Sequence, residues 1–164
     1  MCLAIRSFTG LDARIKWPND IIIGNKKLCG ILTEMAAQSD CIDYVVTGIG
    51  INVNNVSFPE EISQKSTSLY LETGTKINRS DLLAEVIKRL DSVISSFLVS
   101  LSIDDIENFK SLCATIGRQV SVKRGNTELT GTACDITPTG ELIIKTDSGE
   151  VTVNSGEVTV QGIY

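Results

Sequence analysis

The sequence predicts an α+β chain: a mixed or antiparallel sheet with packing helices, followed by a small closed β-barrel. Three observations carry that prediction. Between residues 14 and 54 apolar positions alternate with period 2, as in pleated strands. Between residues 79 and 112 they recur instead at steps of 3 and 4, the spacing of an amphipathic helix. Beyond Gly117 period 2 returns in short runs cut by strong turn signals, about five strands in all, which is barrel-like patterning. The change of period at residues 112–117 divides the chain into units 1–114 and 115–164.

Taken in order, residues 2–8 form an apolar helical segment that Thr9-Gly10 closes. Lys16-Trp17-Pro18-Asn19-Asp20 then ends a strand, because Pro18 removes a donor and biases Trp17 towards extended geometry. Trp17 itself reads as a wall or core residue. Residues 21–23 and 27–35 are two strands joined at Gly24-Asn25, a hairpin turn dipeptide. Strict alternation in the second strand puts Lys27, Cys29, Ile31 and Thr33 on one face and Gly30 on the other. In residues 43–53, Val45, Thr47, Ile49, Ile51 and Val53 share a β-branched face expected to pack on a core. Tyr44, Val46, Gly48, Gly50 and Asn52 face the opposite way.

Residues 55–65 read as a polar loop, and 66–73 as a short helix ended by Gly74. A longer helix is expected after Asn78-Arg79, with Ser80 as N-cap and Asp81 and Glu85 near its positive end. Its stripe of Leu82, Leu83, Val86, Ile87, Leu90, Ile94, Phe97 and Leu98 marks a packing helix. A third helix over 103–112 follows Ser102 and gathers Ile106, Phe109 and Leu112 on one side. Turns are expected at Arg124-Gly125-Asn126, Pro138-Thr139-Gly140, Asp147-Ser148-Gly149 and Asn154-Ser155-Gly156. Val120, Val122, Ile143, Val151 and Val153 supply the alternating apolar positions between them.

Composition excludes several function classes. A net charge of −5 argues against a nucleic-acid surface, which needs a basic patch. No apolar run is long enough for a membrane helix, and the first ten residues do not form a secretory signal. Cys2, Cys29, Cys41, Cys113 and Cys134 show no metal-site spacing and there is no histidine, so they read as reduced cytosolic thiols packed as small hydrophobes. Without histidine, the commonest general base is missing, and catalysis must work by positioning and electrostatics.

The candidate site lies in residues 14–54. Two glycines on one strand face make a bare floor on which a flat ring can lie, and such glycines mark close approach of a ligand. A lysine on an apolar strand face is costly unless it meets an anion. Gly48-Ile49-Gly50 also suggests a dinucleotide site, but no third glycine follows at the required step and a loop, not a helix, comes next.

KWPND (16–20), KKLCGIL (26–32) and GIGIN (48–52), in this order and spacing, resemble the catalytic domain of biotin–protein ligases, the family of biotin–[acetyl-CoA-carboxylase] ligase and holocarboxylase synthetase. The resemblance runs to the C-terminus and implies a partial class II aminoacyl-tRNA synthetase/biotin ligase-like fold. Residues 1–114 would be the C-terminal part of the catalytic domain, and 115–164 an SH3-like barrel domain. It implies Lys27 as the catalytic and biotin-binding cation, with Gly30, Gly48 and Gly50 in the biotin pocket. Lys16, Asn19 and Asn52 would lie towards the nucleotide, and Asn19 towards its Mg²⁺. Glu157 matches an acidic residue that faces the catalytic domain, and Gln161 stands where some relatives carry a basic one.

The implied reaction activates biotin with ATP to biotinyl-5′-AMP, then transfers it to a lysine of biotin carboxyl carrier protein. The implied setting is cytoplasmic, with a homodimer as a family-level expectation. Relatives carry a Gly/Arg-rich GRGRxGR loop upstream, and no such motif occurs in residues 1–164. The chain is therefore expected to be the C-terminal part of a ligase, binding biotin weakly and making little adenylate alone. The competing expectation is a non-catalytic biotin- or adenylate-binding or carrier-docking fragment.

Overall fold

The computed structural model describes residues 1–38, 41–97, 103–124 and 127–164, without the side chains of residues 96, 97, 124, 127 and 157. The expectations for Leu98, Ser102 and Gly125-Asn126, and for the side chains of Phe97 and Glu157, lie outside the described residues.

Helix α1 (Cys2–Thr9) buries Ala4 and Ile5 and ends at Gly10, whose φ of 74° supplies the left-handed cap. It leads into an antiparallel sheet of β1 (Ala13–Lys16), β2 (Asp20–Ile23), β3 (Lys26–Gln38) and β4 (Cys41–Ile51), in that spatial order. Short helices α2 (Glu60–Ser63) and α3 (Leu69–Thr73) follow, then α4 (Arg79–Phe97) and α5 (Ile103–Leu112). One core gathers Ile5, Ile15, Ile21, Leu28, Cys29, Leu69, Leu82 and Val86 between this sheet and the helices. Burying each such aliphatic side chain contributes about 1.5–3 kcal/mol.

The second sheet runs β8 (Gly149–Val153), β7 (Leu142–Thr146), β6 (Thr127–Ile136), β5 (Gln119–Arg124), β9 (Glu157–Val160). The five strands match the expectation; a closed barrel does not. β8 pairs only with β7 and β9 only with β5, so consecutive strands lie at opposite edges and no ladder joins them among the described residues. The turn before β9, with Gly156 at φ 142°, sends the chain across the sheet instead of back along β8. This sheet wraps a core of Val120, Val122, Ala133, Ile136, Leu142, Ile144, Val158 and Val160, which also takes in Trp17 from the β1–β2 turn and Ile22 from β2. Ile15 bridges to Cys113, and Trp17 N–H donates to Thr115 Oγ1 at 3.0 Å, so the two sheets are bonded to each other at the KWPND end.

Further expectations are corrected. In β4 only Ile49 and Ile51, with Val53 just beyond it, reach the helical core, whereas Val45 is 54% exposed and Thr47 is exposed too. The outer half of the β3–β4 ribbon lies beyond the helical core among the described residues. In α4, Leu82 and Val86 are buried while Leu83, Ile87 and Ile94 are exposed, so one edge of the stripe packs. Its cap is Asn78, whose Oδ1 accepts from Ser80 N–H at 3.0 Å, because Ser80 already lies inside the first turn. Likewise the helix expected over 66–73 starts only at Leu69, with Ser68 as its cap, and the loop at 55–65 contains α2. No helix of the described residues is long and apolar enough to cross a membrane.

Candidate functional site

The site grows from an irregularity in β3. Ile21 pairs with Cys29, but the next residue, Ile22, pairs with Lys27, which leaves Leu28 as an extra residue in a β-bulge. Leu28 and Cys29 are consequently both buried, at 0% and 1% exposure, which a regular pleat does not allow for neighbours. The bulge also turns Lys27 over. Strict alternation opposes Lys27 to Gly30; in the structure Lys27 Cε and Nζ both lie 3.2 Å from the position a Gly30 Cβ would take. The ammonium therefore hangs above the glycine face. Its backbone is pinned from the other side, where Lys27 N–H donates to Lys65 O (2.8 Å) and Lys27 O accepts from Thr67 N–H (2.9 Å).

Antiparallel register sets Gly30 opposite Gly50 and Leu32 opposite Gly48. A Cβ at Gly48 or Gly50 would meet nothing nearer than a backbone oxygen at 3.8 or 3.9 Å, so the surface above them is open. Asn19, Asp20, Lys27, Gly30, Leu32, Gly48 and Gly50 border one depression of about 450 Å³. Four of the sequence-predicted residues that should meet biotin (Lys27, Gly30, Gly48, Gly50) thus come together, with Asn19 at the rim. Asn19 is fixed there by its Nδ2, which donates to Ile31 O at 2.7 Å.

Lys16 and Asn52 stand elsewhere. Lys16, almost buried at 7% exposure, borders an adjoining depression of about 390 Å³ with Asn19, Asp20, Lys65 and Tyr164. Asn19 and Asp20 form the wall between the two depressions. Asn52 lies past the end of β4, where its Nδ2 donates to Thr67 O at 3.0 Å and steadies the 65–68 loop. Trp17 is a core residue, 2% exposed, with Nε1 donating to Gly140 O at 2.9 Å.

Asp20 is the residue that sequence reasoning left unassigned. Its Oδ1 lies 2.6 Å from Lys27 Nζ, so it is the anion that a lysine on this face requires. The signal was present in the motif, one residue from Asn19, but alternation had pointed Lys27 away from it. Tyr164 was invisible to sequence reasoning, since nothing local links a residue 144 positions away to Asp20; its phenol donates to Asp20 Oδ2. Burial, and then the Asp20 carboxylate, push that phenol well above its ordinary value.

The thiols divide. Cys2, Cys29 and Cys113 are buried as expected, while Cys41 and Cys134 are exposed; all five are free. Burial raises the Cys29 thiol to about 11. No group of three potential metal-ligating side chains occurs among the described residues, and the one carboxylate of the depression is engaged by Lys27 and Tyr164. These residues do not themselves fit a Mg²⁺ cage.

Comparison with known proteins gives a consistent picture. Residues 2–52 match the Biotin/lipoate A/B protein ligase family, and residues 115–160 match the Biotin protein ligase C terminal domain. The chain is 32% identical over 156 residues to the Bifunctional ligase/repressor BirA of Bacillus subtilis (94% of this chain, 48% of the relative). It is 31% identical over 149 residues to the Biotin–[acetyl-CoA-carboxylase] ligase of Mycobacterium tuberculosis (90% of this chain, 53% of the relative). The chain thus spans about half the length of the curated relatives it matches. Among solved structures, the apo biotin protein ligase of Aquifex aeolicus aligns with TM-score 0.87 and 30% identity, over 98% of this chain and 70% of that one. The same enzyme in complex with biotin and ATP aligns with TM-score 0.85 and 30% identity, over 98% and 66%.

Proposed function

We propose a function from the premise that this chain belongs to the biotin protein ligase family. It carries the biotin floor and the activating cation of a biotin–[acetyl-CoA-carboxylase] ligase. The observation that supports this best is the Lys27 ammonium held above Gly30 beside the open Gly48/Gly50 surface.

In this reading the fused rings of biotin lie on Gly30, Gly48 and Gly50, where any side chain would occupy their space. The biotin carboxylate attacks the α-phosphate of ATP, giving biotinyl-5′-AMP and pyrophosphate. A lysine of biotin carboxyl carrier protein then attacks the mixed anhydride and releases AMP. Negative charge gathers on carboxyl and phosphoryl oxygens in both steps. Lys27 stabilises it as a positioned donor, a role worth about 10²–10³ in rate. Lys16, Asn19 and Asn52 are assigned to the nucleotide on family resemblance, with Asn19 best placed because it borders both depressions. Mg²⁺ would arrive with the triphosphate, since it keeps waters and phosphate oxygens as ligands, and no step here is routed through it. We assign residues 115–164 as the C-terminal domain of such a ligase, and the protein to the cytoplasm.

For residues 1–164 alone we propose weak biotin binding and little adenylate synthesis, because no Gly/Arg-rich loop occurs in them. A second reading, a non-catalytic biotin-binding or carrier-docking module, draws support from the same lack of a Gly/Arg-rich motif in residues 1–164. Calorimetry with biotin and with a non-hydrolysable biotinyl-adenylate tests the first reading. Heat of binding is expected for both, at least about tenfold weaker in Lys27→Ala. No binding by the unaltered chain overturns it, and binding with no adenylate formed when a Gly/Arg-loop segment is supplied in trans favours the second.

A further inference from the structure

The residue that joins the second sheet to the site is Tyr164. Next to it, Ile163 is 2% exposed in the core of the second sheet. Tyr164 N–H donates to Asn25 O at 2.7 Å, in the turn between β2 and β3. It is the one non-glycine residue with positive φ, 43°, among the described residues, a conformation that persists only where the surroundings impose it. Lys16 Nζ sits 4.1 Å from the ring centroid, within cation–π range. The phenol donates to Asp20 Oδ2, while Asp20 Oδ1 takes Lys27 Nζ.

We propose that Tyr164 is a positioning residue for the ligand site: its hydroxyl fixes the Asp20 carboxylate, and Asp20 in turn aims Lys27 over the glycine floor. The inference rests on the ligase reading for its ligand, but its geometry does not. An ammonium on a four-carbon stem has three rotatable donors and no preferred direction of its own. The Lys27 side chain is 42% exposed, and an ion pair that open holds its partner weakly. A carboxylate gripped at one oxygen also turns easily about its last torsion, which is broad and two-fold. With the phenol on the other oxygen that turn is blocked, and one direction is left for Lys27. Part of the carboxylate charge is then shared with the phenol, so the ammonium keeps donors for an incoming carboxylate. Lys16, stacked on the ring face, and Lys65 border one depression with Asp20 and Tyr164, and Lys26 borders another with Tyr164. The second sheet thereby reaches the floor of the first through one side chain.

Tyr164→Phe is the informative change, because it keeps the ring over Lys16 and the backbone bond to Asn25 and removes only the hydroxyl. Dimethylated lysine amines followed by NMR give the readout, with the Lys27 signal assigned by its loss in Lys27→Arg. In Tyr164→Phe the Lys27 signal should move, while the Lys88 and Lys145 signals stay fixed. Asp20→Asn should move the same signal and lower the titration of the Tyr164 phenol, followed by absorbance at 295 nm, while burial still holds it above its ordinary value. Biotin affinity should fall about fivefold in Tyr164→Phe. A Lys27 signal unchanged in Tyr164→Phe overturns the inference, as does a loss of affinity seen in Tyr164→Ala but not in Tyr164→Phe. If the unaltered chain binds no biotin while Lys27 still responds to Tyr164→Phe, the positioning holds and the ligase reading falls.

Discussion

Leu142 and Leu32 both stand on antiparallel strands, yet Leu142 is 0% exposed and Leu32 is 62% exposed. Gly131 and Gly50 diverge in the same way. A Cβ at Gly131 would lie 2.4 Å from Lys145 O and 2.8 Å from Ile144 Cγ2; one at Gly50 would find only Gly30 O, at 3.9 Å. The second sheet thus uses its alternation to close a core, and the first uses part of its own to keep a surface bare. Glycine serves contact between backbone and packed neighbours in one sheet and open space in the other.

Matched substitutions break or sharpen this contrast. The largest effect is expected from Leu142→Ala, which should cost about 2–5 kcal/mol in urea unfolding, while Leu32→Ala stays within about 0.5 kcal/mol. Equal losses would show that the first sheet's outer face is packed in solution. Gly131→Ala should cost about 3 kcal/mol, because a backbone oxygen must give way. Gly50→Ala should leave stability unchanged or raise it by up to about 1 kcal/mol, the ordinary penalty of glycine in a strand. The same Gly50→Ala protein should bind biotin at least about tenfold more weakly by calorimetry, a methyl-sized exclusion from the floor. Trp17→Phe, which deletes the bond to Gly140 O at the join of the sheets, should cost about 1–2 kcal/mol.

The smallest structural disturbance, thiol labelling at pH 8, separates the regions again. Cys41 and Cys134 should react quickly with a disulfide reagent in the native protein. Cys29 should label only on unfolding, since burial holds its thiol near 11. Rapid labelling of Cys29 would mean that the bulge beside Lys27 opens readily.

Most elements were legible in the residues: the hairpin at Gly24-Asn25, the helix closed by Gly74, and the span of α5 all follow from period and turn chemistry. These depend on neighbours in sequence, where steric and capping rules act directly. The motifs KWPND, KKLCGIL and GIGIN likewise carry the family and the glycine floor without coordinates. Tertiary structure alone decided which face Lys27 takes, because a bulge inverts alternation and its position depends on how Leu28 and Cys29 share one core. It alone decided that the second sheet stays open, that the outer β4 face has no cover among the described residues, and that Tyr164 meets Asp20. Such outcomes depend on packing between segments far apart in the chain, and a local pattern does not carry that information.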